Sequence, residues 1–185
     1  MRKTGVPPVR ERLLDTADAL FYAEGIRAVG IDRVIAESKV SKSTMYVHFR
    51  TKEELVEAYL RRRTDQWRAH VQAEVDRRAD DPRERALAVF DVFDEQLSAP
   101  GYRGCPFINA AAEYPHHEGI QNVIAYHRRW LADLFPHVGA VGRDEPLAAA
   151  LLQLIDGAVV AAHLDRDRQA ARRARRSAGL LLAAR

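Results

Sequence analysis

Apolar positions recur at spacings of three and four over most of the chain, the period of helices that bury one face. Leu13, Leu14, Ala17, Leu20 and Phe21 form the first stripe, between the Pro7-Pro8 pair and Gly25, and predict a helix closing near Glu24. Ile31, Val34, Ile35 and Ser38 share the face of a short second helix over 31–38. After a break at Lys39-Val40, Ser41 is placed as N-cap of a third helix over about 42–49, its hydroxyl positioned to accept a backbone N–H from Ser43 or Thr44. In that helix Met45 and Phe49 face inward at i, i+4, which leaves Lys42, Ser43, Thr44, Tyr46 and His48 on or beside the opposite face.

Thr51 and Glu54 form a capping box ahead of Leu55-Val56. They open a fourth helix that can run to about Ala79 without a Gly or Pro, with Leu55, Tyr59, Trp67 and Val71 near one side. Its expected length, ~40 Å at about 1.5 Å per residue, suits a mechanical link between the N-terminal helices and the rest. Asp80-Asp81-Pro82 breaks the chain, and a fifth helix follows with Ala86, Val89, Phe90, Phe93 and Leu97 at helical spacing. A seventh, about 118–135, carries Ile120, Val123, Ile124, His127, Leu131 and Leu134. An eighth, about 144–164, carries Leu147, Leu151, Leu154, Ala158 and Ala161. The eighth is apolar over more of its girth than one core face needs, so it is either an interior helix or part of a subunit interface. A ninth, about 167–184, pairs Ala170, Ala174, Ala178, Leu181 and Leu182 with Arg172, Arg173, Arg175 and Arg176, which read as a solvated or ion-paired face. The predicted fold class is all-α.

Composition changes this picture modestly. The 185 residues carry a net charge of +3 and a pI near 9.2. Up to Arg63, thirteen basic residues face nine acidic ones, and the remainder is close to neutral, so the positive excess sits with the first helices. That is where phosphate binding would need it. Arg2 and Lys3 in a loose N-terminal arm could add to it. No apolar h-region follows Met1, and the longest apolar stretch, 147–164, is interrupted by Gln153, Asp156 and His163. With a single cysteine, these features predict a soluble cytoplasmic protein with no membrane partner.

A short amphipathic helix bearing Lys, Ser, Thr, Tyr and His is suited to a DNA major groove. The run SKSTMYVHFRTKEEL also resembles the Ser-Lys-x-Thr-x-Tyr-x-His-Phe-x-x-Lys-x-x-Leu signature of TetR-like regulators, through Ser41, Lys42, Thr44, Tyr46, His48, Phe49, Lys52 and Leu55. Lys39 stands where the family's turn commonly has Gly, and Gly30 where the preceding cap is often Ser or Thr. The resemblance implies an N-terminal helix-turn-helix DNA-binding domain, 1–50, and a C-terminal ligand-binding and dimerisation domain, 51–185. It further implies a homodimer through the last two helices, a small-molecule effector and no cofactor. The expected DNA contacts are Lys42, Ser43, Thr44, Tyr46, His48 and Lys52, with Ser43 and Thr44 as base readers. The expected activity is regulation of transcription, as a repressor released from a palindromic operator by its effector.

A second element, Gly104-Cys105-Pro106-Phe107-Ile108-Asn109-Ala110-Ala111-Ala112-Glu113, resembles one found in a subset of TetR-like proteins at the short helix lining the effector cavity. The cavity that the resemblance implies would draw its effector contacts from Cys105, Asn109, Phe90, Phe93 and His127, in a largely apolar site. His127, embedded among aliphatics, has a second reading as a core residue hydrogen-bonded to a neighbour. Cys105 at a helix N-terminus has two readings, a buried small hydrophobe or a thiol sensor of oxidants and electrophiles. A metal site from Glu113, His116, His117 and His127 fits no dedicated spacing, and nothing fixes a base beside Cys105 for enzymatic chemistry.

Overall fold

The structure, a computed structural model, describes residues 7–139, 141–142 and 144–184; the basic arm with Arg2 and Lys3 lies outside them. Among the described residues the chain forms nine α-helices and no strand. It divides into two compact units, Met1–Arg63 with Pro106–Ile124, and Thr64–Cys105 with Ala125–Arg185.

In the first unit α1 (Val9–Glu24) buries the predicted stripe whole, from Leu13 to Phe21. Gly25 stops it with φ at +96°, its N–H donating to the Phe21 carbonyl at 3.0 Å. The two short helices follow, α2 (Ile31–Ser38) and α3 (Lys42–His48). Between them Lys39 is left-handed (φ 55°, ψ 40°), and its N–H bonds back to the Ala36 carbonyl. A Lys in that conformation costs about 1 kcal/mol against Gly. Met45 and Phe49 are buried as predicted, with Leu55, Val56, Tyr59 and Leu60 from the start of α4 (Lys52–Arg78). Phe21 meets Tyr59 edge to face, with ring centroids 5.5 Å apart. The capping box differs in one bond. Thr51 Oγ1 accepts the Glu54 N–H at 3.1 Å, but Glu54 Oε2 reaches past Thr51 to the Arg50 N–H at 2.7 Å. The unit also holds α6 (Pro106–Glu113) and the first turns of α7 (Glu118–His137), which bury Phe107, Ala110, Ile120 and Val123.

The core of the second unit is built on α5 (Pro82–Ser98), which packs against α8 (Glu145–Leu164) and α9 (Ala170–Ala183). Asp81 caps α5, Oδ1 accepting the N–H groups of Arg83 and Glu84 at 2.9 and 3.1 Å, and Asp144 caps α8 through the Leu147 N–H. The buried face of α8 is Ala148, Leu151, Leu152, Ile155 and Ala158, so Leu147, Leu154 and Ala161 of the predicted stripe are only half-buried. An apolar set wider than one face does not define by itself which line along the helix turns inward. Helix α9 starts three residues later than predicted, because Asp167 turns the chain and accepts the Gln169 N–H at 2.9 Å. Leu182 is buried there while Leu181 is 40% exposed.

By length and composition α8 is long and apolar enough to cross a membrane, yet only 28% of its most apolar window is buried within the chain. Val160 and Leu164 on α8 and Leu180 and Leu181 on α9 are exposed.

Candidate nucleic-acid interface

Helix α3 presents its predicted face to solvent. Lys42, Ser43, Tyr46 and His48 are exposed and Thr44 is half-buried, while Met45 beneath them is fully buried. The start of the helix is fixed by a knot of hydroxyls. Ser41 Oγ accepts the Thr44 N–H at 3.2 Å and lies 2.6 Å from Thr44 Oγ1 and 3.0 Å from Ser43 Oγ. Both residues expected to read bases thus have their hydroxyls engaged at the cap. Arg10 stacks its guanidinium over the Phe49 ring at 5.3 Å, closing the helix's far end.

The two lysines differ in setting. Lys42 Nζ donates to Asp32 Oδ1 at 3.0 Å, and that bond and the carboxylate's attraction raise its pKa above the ordinary lysine value. Lys52 is half-buried, its Nζ 3.5 Å from the Arg27 carbonyl. Burial draws its pKa down against the attraction of Glu53 and Glu113. Each therefore has a partner in the unbound chain that a phosphate would replace or join.

The α1–α2 connection is held by a residue outside the helix-turn-helix. Glu113, last in α6, accepts the Ile26 N–H through Oε1 at 3.1 Å and the Arg27 N–H through Oε2 at 2.5 Å. Arg27 stacks over Tyr114 at 5.3 Å. On the first turn of α7, a side chain at Gly119 would collide with the Glu57 carboxylate of α4.

Of the residues expected to contact an effector, four fall in the second unit. Phe90 lies against Phe135 with centroids 5.8 Å apart, and Phe93 meets Trp67 edge to face at 5.2 Å; both are buried. His127 is 4% exposed, with Nδ1 3.3 Å from Thr64 Oγ1 and its ring beside Trp130. Burial, with repulsion from Arg128, lowers its pKa to about 3, so it is a neutral imidazole. Cys105 is half-buried and follows Gly104, whose φ of +87° and closeness to the His163 ring leave no room for a side chain. Arg128 grips Asp156 at 2.7 and 2.8 Å, which raises its pKa, and a charged Cys105 would raise it further. The fifth residue, Asn109, belongs to the first unit and is half-buried on α6. An open cleft of about 400 Å³ on the second unit is lined by none of these, but by charged groups including Arg78, Asp81, Glu84, Asp91 and Arg175.

Residues 13–59 match the model of bacterial regulatory proteins of the tetR family. Over almost its full length the chain is 34% identical to a TetR-family transcriptional regulator from Streptomyces coelicolor. That match covers 95% of both chains with a TM-score of 0.80. The chain belongs to the TetR family. TetR-family proteins are transcriptional regulators that bind DNA, not enzymes. The reduced form of Escherichia coli NemR shares the fold, with a TM-score of 0.81 over 92% of this chain and 94% of that one at 23% identity. The transcriptional activator FasR of Mycolicibacterium smegmatis is 33% identical over 96 residues, which span 51% of this chain and 43% of that protein.

Sequence reasoning missed three residues at this interface: Asp32, Glu113 and Val47. The spacing of Met45 and Phe49 already placed Val47 outward, and an apolar residue there was the available signal. The Glu113 contact spans 86 and 87 positions, and no local pattern encodes it.

Proposed function

We propose that this TetR-family regulator is a cytoplasmic repressor that binds a palindromic operator as a homodimer and is released by a small, largely apolar effector. Residues 1–50 carry the DNA reader, and 51–185 sense the ligand and dimerise. The observation that carries this reading is the exposed polar face of α3 on a buried Met45, with its start fixed by Ser41. Lys42, Tyr46, His48 and Lys52 anchor phosphates, and Ser43 and Thr44 lie nearest the bases. Two such helices about 34–36 Å apart would enter successive major grooves. Exposed Leu164, Leu180 and Leu181 support a dimer seam through α8 and α9. Phe90, Phe93, Cys105 and His127 are the proposed effector contacts of the second unit. An effector that favours a different separation of the two readers must oppose DNA binding reciprocally.

Repression follows if the operator overlaps a promoter; FasR is an activator, so the sign is a property to measure. The test places the DNA upstream of the chain's own gene before a reporter. Repression predicts reporter output that rises when the chain is deleted and when the effector is supplied, while a fall on deletion would mark an activator.

A second reading is supported by the position of Cys105, half-buried and directly before the first residue of α6, since a helix N-terminus favours a thiolate. In that reading an electrophile adds to Cys105 and releases the DNA, and Cys105→Ser abolishes the response without changing DNA affinity.

A further inference from the structure

Val47 is 80% exposed, more than any other large apolar side chain among the described residues. It lies on α3 one turn beyond Ser43 and next to Tyr46, and the other exposed residues of that helix are Lys42, Ser43, Tyr46 and His48. A β-branched residue held in water on a short helix gains nothing in the unbound chain: it fills no core and slightly disfavours the helix. Its neighbours are basic and polar, which argues against an apolar protein partner and for a polyanion carrying a small apolar group. A major groove offers one such group, the C5-methyl of thymine. The polar residues nearest the start of α3 are meanwhile committed to its cap, because the Ser43 and Thr44 hydroxyls lie 3.0 and 2.6 Å from Ser41 Oγ.

We propose that Val47 is a specificity-determining residue that reads a thymine methyl in the operator half-site. The proposal rests on the reading of α3 as the DNA-contacting helix and deepens it. Val47 excludes water from the methyl and thereby favours thymine over cytosine at one position of each half-site, while Ser43 and Thr44 hold the register of the helix. The residue has no fold to support, so its substitution leaves stability intact.

The test uses the full-length chain and a duplex that it selects from a random library. Each thymine of the duplex is replaced in turn by deoxyuracil, which pairs identically but lacks the methyl, and Kd is measured by fluorescence anisotropy for wild type and Val47→Ala. One thymine per half-site is expected at which deoxyuracil weakens the wild type about fourfold, the worth of roughly one buried methyl at about 0.8 kcal/mol. Val47→Ala, which alters both half-sites of the dimer, is expected to bind the thymine duplex about sixteenfold more weakly than the wild type and to ignore the substitution there. Indifference of the wild type to every deoxyuracil, or undiminished sensitivity in Val47→Ala, overturns the role of Val47 and leaves α3 as the DNA-contacting helix. Failure to select any duplex overturns the DNA reading itself.

Discussion

The Nζ of Lys42 stands 3.0 Å from Oδ1 of Asp32, so the first lysine of the reading helix is ion-paired to the helix before it. Both side chains are well exposed, and the pair contributes little to folding. Its consequence is for binding. A phosphate arriving at Lys42 competes with a carboxylate already there, which restrains indiscriminate attraction to DNA. Asp32→Asn is expected to tighten binding to all duplexes severalfold and to steepen the dependence of log K on log salt by up to about one unit. Lys42→Ala should flatten it. A salt titration of both variants checks this, and equal slopes would contradict it.

Glu113 ties α6 to the α1–α2 connection by two charge-assisted bonds to main-chain N–H groups. In Glu113→Gln the amide oxygen can keep one bond at most. The expected cost is about 1 kcal/mol, discounted for a half-buried site. Hydrogen exchange should quicken at the Ile26 and Arg27 amides first, and DNA affinity should fall although the changed residue lies far outside the helix-turn-helix in sequence. Unchanged protection at those two amides would contradict the assignment.

His127 makes the second unit acid-sensitive. Its pKa falls from about 6.5 in the unfolded chain to about 3 in the fold, burial being the larger cause. Between those values the unfolded state binds the extra proton. Stability therefore falls as the pH drops through 6.5 and levels off only near 3, at up to about 1.4 kcal/mol per pH unit from this group. Urea unfolding from pH 7.5 to 4.5 measures it. His127→Gln, which can still meet Thr64, should show a shallower slope than wild type.

Leu164 is 71% and Leu180 75% exposed in the single chain. A dimer through α8 and α9 would cover apolar surface of this kind. Leu180→Glu is expected to shift the sedimentation of the full chain toward one protomer while its helical content stays the same. A wild type that sediments as one protomer at micromolar concentration would remove the proposed seam.

Helix periods and capping residues made most of the fold legible. The whole α1 stripe and the pair Met45 and Phe49 are buried as predicted, because each of these helices has one narrow apolar face with polar flanks. The α5 stripe is buried too, but with Leu87, Ala88 and Val92 besides, since that helix sits deep in the core of its unit. The orientation of α8 was not legible. Its alanines and leucines surround the helix, and only tertiary contact selects Ala148 and Ile155 over Leu147 and Leu154. At the interface, Ser41 and the residues it presents could be read from a seven-residue helix. The carboxylates that hold Lys42 and the α1–α2 connection could not, since Asp32 and Glu113 reach them through space.

The central claim is that the exposed face of α3 discriminates between DNA sequences. It is tested most directly by comparing the affinity of the full-length chain for a selected palindrome and for a scrambled duplex of the same length and composition at physiological salt. The account predicts a preference on the order of 10³ or more, lost when Ser43, Thr44 and Val47 are replaced together by Ala in a chain that keeps its helical content. Replacing Lys42 and Lys52 instead weakens both duplexes alike. Equal affinity for the two duplexes would contradict it.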